Sequence, residues 1–170
     1  MNPLARLAAL VAAACAVSSS AQSPASAPGC ATEEAKRLDF WVGDWELVHE
    51  GGRSRNRISK TLGGCVVLEE FRGAPGTNLD GMSVSTFDPA TKRWRQTWVD
   101  NTGAYLDFDA TTVDGNMAFE RTAQKDGRRI RQRMVFRDVK ADSLRWDWQR
   151  SDDDGATWKT TWEIAYRRAK

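Results

Sequence analysis

From Asp44 onward the sequence repeats one theme: a short run in which apolar and polar side chains alternate, closed by a turn rich in Gly, Asp, Asn or Pro. Successive side chains of a strand point to opposite faces, so alternation marks a strand with one buried and one wet face. Trp94, Gln96 and Trp98 fall on one face, and Arg93, Arg95 and Thr97 on the other. Leu144, Trp146 and Trp148 oppose Arg145, Asp147 and Gln149. Ile130, Gln132, Met134 and Phe136 oppose Arg129, Arg131 and Arg133. By the same count Trp158, Thr160, Trp162, Ile164 and Tyr166 share the inward face of the last run.

The pattern predicts ten strands, at 44–50, 54–62, 65–72, 82–88, 92–100, 104–112, 116–123, 128–138, 143–150 and 157–167. Gly51-Gly52, Gly63-Gly64, Asp114-Gly115 and Asp126-Gly127 are hairpin turns between them. No stretch of helical period interrupts the series, which argues against parallel strand–helix–strand units. A long antiparallel sheet with one wet side must close on itself or fold face to face, and closure leaves no exposed edge. The expected fold is therefore all-β, an antiparallel up-and-down barrel of about ten strands, with a two-sheet sandwich as the alternative. One short N-terminal helix is expected at Glu33–Trp41, with Thr32 as its cap and Glu33 and Glu34 in its first turn.

The chain has 170 residues, enough for one core, and eight of them are Trp. Burying each indole removes about 150–250 Å² from water, so most belong inside. A barrel of this strand number also has room for a small cavity. The 25 Lys and Arg nearly balance the 23 Asp and Glu, leaving +2, which gives no argument for nucleic acid as a partner. A single His removes zinc sites built on several imidazoles.

The N-terminus has the three-part layout of a secretory signal: Arg6, an apolar run from Leu7 to Val17, and a small-residue cleavage site at Ser19-Ser20-Ala21. Residues 1–21 are read as that signal, 22–31 as a flexible leader and 32–170 as the barrel domain. The expected location is periplasmic or secreted. The alternative is a lipoprotein anchored through Cys15, since Val11 to Cys15 loosely resembles a lipobox. No later run is long enough to span a bilayer as a helix. Processing at Ala21 leaves Cys30 and Cys65, an even count that favours a disulfide in an oxidising compartment. A redox or metal pair is the alternative, with neither close spacing nor a nearby His to support it.

Phe40-Trp41-Val42-Gly43-Asp44-Trp45 opens the domain, and its Gly43-x-Trp45 resembles the Gly-x-Trp of the first strand in lipocalin-type (calycin) barrels. In that superfamily a basic residue near the last strand packs over the Trp, which makes Arg167 and Arg168 candidates. Leu38 to Trp45, Gly64-Cys65 leading to Glu69, and the closing Ser151-to-Trp158 hairpin together resemble an exported bacterial family of unknown function with lipocalin-like barrels. The resemblance implies fold and compartment and no established activity. Ser151-x-Asp153-x-Gly155-x-Thr157-Trp158 also resembles the Asp-box of sialidases, a turn device that those enzymes repeat around a propeller. Nitrobindin-like barrels hold haem through a late His, and this sequence has none there.

If the apolar faces point inward, His49, Asn56, Glu69, Gln96, Arg121 and Gln132 go with them, and each then needs a partner. Gln96 between two same-face indoles suits a ligand with an apolar body and one hydrogen-bonding group. Glu69 and Arg121 could form an internal ion pair or hold a charged head group, although the third strand can be drawn with Glu69 or with Glu70 inward. His49, beside Gly51-Gly52, belongs at a rim. The Arg128–Arg133 stripe reads as a solvated outer face paired with carboxylates such as Asp147. The candidate ligand-binding set is Trp45, Glu69, Trp94, Gln96, Trp98, Arg121, Gln132, Trp146, Trp148 and Trp162. No catalytic residue, metal or cofactor is assigned. The expected function is binding of a small apolar or amphipathic ligand. The alternatives are an envelope interaction protein without a ligand, and a cofactor-free cyclase or isomerase using Glu69, His49 or Arg121.

Overall fold

The computed structural model describes residues 30–170. The expected signal, Cys15 and most of the expected leader lie outside the described residues. Ten antiparallel strands form one closed barrel: β1 Gly43–His49, β2 Gly52–Thr61, β3 Val66–Arg72, β4 Asp80–Asp88, β5 Arg93–Asp100, β6 Tyr105–Val113, β7 Asn116–Lys125, β8 Arg128–Arg137, β9 Ser143–Ser151 and β10 Lys159–Arg168. Each strand pairs with its neighbours in sequence, and β1 pairs with β10 to close the ring. The ends match the sequence expectation to within two residues. No helix among the described residues is long and apolar enough to cross a membrane.

Alternation decides which side chains form the core. Trp45 and Leu47 of β1, Ile58 of β2, Val67 and Phe71 of β3, and Phe119 of β7 are buried. So are Met134 and Phe136 of β8, Leu144 of β9, and Ile164 and Tyr166 of β10. The third strand turns Val67, Glu69 and Phe71 inward, which settles its face.

The short helix expected at Glu33–Trp41 is present, wound as two 3₁₀ turns, Glu34–Lys36 and Asp39–Trp41. Glu33, not Thr32, takes the cap position of the first, although the Thr32 hydroxyl accepts from the Ala35 N–H at 3.2 Å. The reason for the tighter winding lies in the spacing of Ala35, Leu38 and Trp41, which are all buried. Residues three apart eclipse on a 3₁₀ helix, so that winding aims all three at the barrel. The segment seals one end. Trp41 meets Phe136 edge-on at 5.2 Å, and the Trp45 indole N–H donates to the Trp41 carbonyl at 2.6 Å. The Trp94 indole N–H donates to the Glu34 carbonyl at 2.8 Å. A Cys30–Cys65 disulfide ties this plug to the β2–β3 turn.

The last strand departs from simple alternation. Thr160 pairs with Gln149 and Trp162 with Trp148, so Thr161 is an extra residue, a bulge. One extra residue flips every side chain before it. Trp158, expected inside with Trp162, therefore lies on the outer wall, where the Arg133 guanidinium sits 3.8 Å from its ring centroid. The turn before it is the Asp-box device alone. The Asp153 carboxylate accepts from the Thr157 N–H at 2.9 Å and from its hydroxyl, the Ser151 hydroxyl accepts from the Gly155 N–H at 2.8 Å, and Gly155 takes a positive φ of 95°. On the outer stripe Arg131 pairs with Glu120 and Arg129 with Asp154, whereas Asp147 pairs with Arg137 at 2.6 Å.

Candidate functional site

Above the plug the core is hollow. A cavity of about 200 Å³ runs from a floor of Trp41 and Tyr166 towards Leu79, Asp100 and Leu106 at the opposite end. Its walls are aromatic because β5, β9 and β10 place indoles at alternate positions on the inner face. Six rings form a connected belt. Trp98 meets Phe71 at 5.9 Å, Phe71 meets Trp162 at 6.4 Å and Trp162 meets Trp146 at 5.7 Å, all near edge-on. Trp146 stacks with Trp148 at 6.1 Å, and Trp148 meets Phe108 edge-on at 5.9 Å. Edge-to-face contacts of this kind fix ring orientation as well as burying area.

One side of the cavity is polar. Glu69 of β3, Ser83 and Ser85 of β4 and Gln96 of β5 are all buried and stand on adjoining strands, with Glu69 opposite Ser83 and Ser85 opposite Gln96. Glu69 Oε1 accepts from Asn56 Nδ2 at 2.6 Å, and Glu69 Oε2 accepts from the Ser83 hydroxyl at 2.6 Å. The same Asn56 amide donates to the Tyr166 hydroxyl at 3.2 Å. Gln96 Nε2 donates to the Ser85 hydroxyl at 2.9 Å. Burial pushes the Glu69 carboxyl up to about 6, although the hydrogen bonds from Ser83 and Asn56 favour its charged form. Burial, and then the charge of Glu69, raise the Tyr166 hydroxyl well above its ordinary range.

Asp100 stands at the mouth. Its carboxylate accepts from the Trp98 indole N–H at 2.9 Å and from the Thr102 and Ala104 N–H groups. Burial works against its charge, but these bonds and one from the Thr102 hydroxyl outweigh it and hold the group below the usual range.

Six of the ten expected ligand-binding residues line this cavity: Glu69, Gln96, Trp98, Trp146, Trp148 and Trp162. Trp45 and Trp94 lie beside the plug instead, each spending its N–H on a carbonyl of that segment. Arg121 and Gln132 bond to each other at 2.7 Å. The β6–β7 ladder ends at Asp109 and Glu120, and just past it the Arg121 guanidinium lies 5.9 Å from the Phe108 ring centroid. Of the two readings open for Glu69 and Arg121, the internal ion pair is not formed: each has a neutral partner of its own. His49 is at the rim, its Nε2 2.8 Å from the Ser54 hydroxyl and its ring edge-on to Trp162. Sequence reasoning passed over Tyr166, Ser83 and Asp100 as site residues. Tyr166 continues the inward alternation of Trp162 and Ile164, so its signal was present; nothing in the local sequence separates Ser83 from an ordinary strand serine.

Among the described residues no group of His, Cys, Asp and Glu is arranged to hold a metal ion. Residues 31–168 match one family, described as protein of unknown function (DUF1579). No curated protein matches the chain.

Proposed function

We propose a binding function for this chain, which belongs to the DUF1579 family: it holds a small, largely apolar molecule with one polar end in the tryptophan-lined cavity. The observation that carries this reading is the pairing of an aromatic belt with a buried polar side on adjacent strands. A cavity that served packing alone would close with aliphatic side chains and would not hold a carboxyl at a desolvation cost. An apolar cavity of about 150 Å³ holds benzene, so about 200 Å³ fits a single-ring molecule with a short substituent. The signal-like N-terminus and the Cys30–Cys65 disulfide support action in the periplasm or outside the cell.

The test is a titration of tryptophan emission with 2-phenylethanol in the wild type and in Leu106→Trp, a substitution that fills the cavity. Saturable binding in the wild type and none in the folded variant is the expected result. A response that is linear and the same in both proteins rejects the proposal. Native mass spectrometry of protein purified from its own host would then identify the co-purified molecule.

A further inference from the structure

We infer that the cavity takes a protonated organic amine, with its ammonium group on the Glu69 carboxylate and its apolar body among the indoles of Trp98, Trp146, Trp148 and Trp162. This inference rests on the binding reading above and adds the charge of the ligand.

The cavity carries charge of one sign. Among the described residues its ionisable lining groups are Glu69, Asp100 and Tyr166, and no Lys, Arg or His lines it. Asp100 is held as an anion by its hydrogen bonds, and Tyr166 stays neutral. Every charge that a ligand meets inside is therefore negative.

Glu69 is surrounded as an anion would be, but without a countercharge. Two donors, the Asn56 amide and the Ser83 hydroxyl, each address a different carboxylate oxygen. A pair of donors suits an ionised acceptor, and neither supplies a countercharge. The groups facing Glu69 are Asn56 from β2, Ser83 from β4 and Tyr166 from β10, of which only Tyr166 titrates. Among the described residues every ion pair lies elsewhere. A buried carboxylate without a cation is costly, and a cationic ligand would complete it.

The wall favours a cation as well. Indole faces carry negative potential and attract ammonium groups, most strongly where water is excluded. The same walls repel an anion, and the volume limits the body to about one ring.

The experiment compares three probes of matched shape: 2-phenylethylamine, 2-phenylethanol and 3-phenylpropanoate. Each is titrated against the wild type and Glu69→Gln by tryptophan emission and calorimetry. In the wild type at pH 7.5 the amine should bind at least ten-fold more tightly than the alcohol, with the propanoate weakest. Glu69→Gln should bring the amine to the level of the alcohol. A second measurement needs no variant: between pH 7.5 and pH 5 the wild type should lose about ten-fold in amine affinity as Glu69, at about 6, takes up a proton, with alcohol affinity unchanged. Alcohol binding equal to amine binding, or amine affinity kept at pH 5 or in Glu69→Gln, overturns the cation assignment and leaves the cavity reading standing. Failure of all three probes to bind overturns both.

Discussion

Arg168 lies on the indole of Trp45, its guanidinium carbon 3.8 Å from the ring centroid. The two residues are partners in the β1–β10 register that closes the barrel. The same guanidinium donates to the carbonyls of Val42, Phe40 and Ala141, so one side chain joins the plug, the closing strands and the β8–β9 turn. Gly43 shares the arrangement: it has φ +132°, and a Cβ there would collide with Arg168 Nη1. Of the two arginines that the sequence offered, it is Arg168 that covers the tryptophan.

Replacing Arg168 with Ala should lower stability by about 2–3 kcal/mol, the sum of charge-assisted hydrogen bonds and a cation–π contact that are only partly screened. Urea unfolding would read this. Arg168→Lys should recover less than half, because one ammonium cannot reach three carbonyls and cover the ring. Full stability in Arg168→Ala would mean that the closure is held by the strand ladder alone.

The Cys30–Cys65 disulfide closes a separation of 35 residues. The chain-entropy relation puts its stabilisation at about 3–4 kcal/mol. Reduction, or the double change Cys30→Ser with Cys65→Ser, should lower the urea midpoint, with a slope equal to or steeper than that of the wild type because the uncrosslinked unfolded chain is more expanded. A shallower slope would show that the plug had left the barrel in the native state.

Glu69 gives a pH signature of definite sign. Its carboxyl rises from 4.5 to about 6 on folding, so the folded chain binds that proton more tightly than the unfolded chain. A raised carboxyl favours the folded state at low pH, and that advantage is lost as pH rises from below 4.5 to above 6. The difference is worth about 2 kcal/mol at the conversion of 1.36 kcal/mol per unit. Glu69→Gln lacks the term. The stability of the wild type relative to Glu69→Gln should therefore fall by about that amount between pH 4 and pH 7. A flat difference would mean that the carboxyl reaches water.

Gly81 of β4 lies against Trp98, which lines the cavity. A Cβ there would run into the six-membered ring of Trp98, which is held by Asp100 and Phe71. Gly81→Ala should cost about 1–3 kcal/mol of overpacking. It should also alter the near-ultraviolet dichroism of the indoles while far-ultraviolet signals persist. An unchanged aromatic spectrum would show that Trp98 moves freely.

The barrel was legible because its evidence is local. Alternation and hairpin turns are written in neighbouring residues, and a strand needs little more to declare its two faces. The parts that were not legible depend on distant partners or on a single count. Glu69 and Glu70 are equivalent until β2 and β4 are in place to choose between them. The Thr161 bulge adds one residue without any glycine to announce it, so the even spacing of Trp158 and Trp162 pointed to one face when the strand has two. Trp94 has the right alternation for a cavity wall, yet its position along the barrel axis puts it beside the plug. Arg121 and Glu69 share an inward reading, but strand order sets them on β7 and β3, and each found a nearer neutral partner. Alternation reports which way a side chain faces; its height and its neighbour across the barrel come only from closure.

Ten is an even number of strands, and each strand reverses the one before it. Gly43 and Arg168 therefore stand at the same end of the barrel, the end closed by the 3₁₀ segment. The chain enters and leaves through its base. Both chain connections of the barrel therefore leave at the end opposite Leu79, Asp100 and Leu106, so a partner joined close to Gly43 or Arg168 would leave the cavity mouth clear.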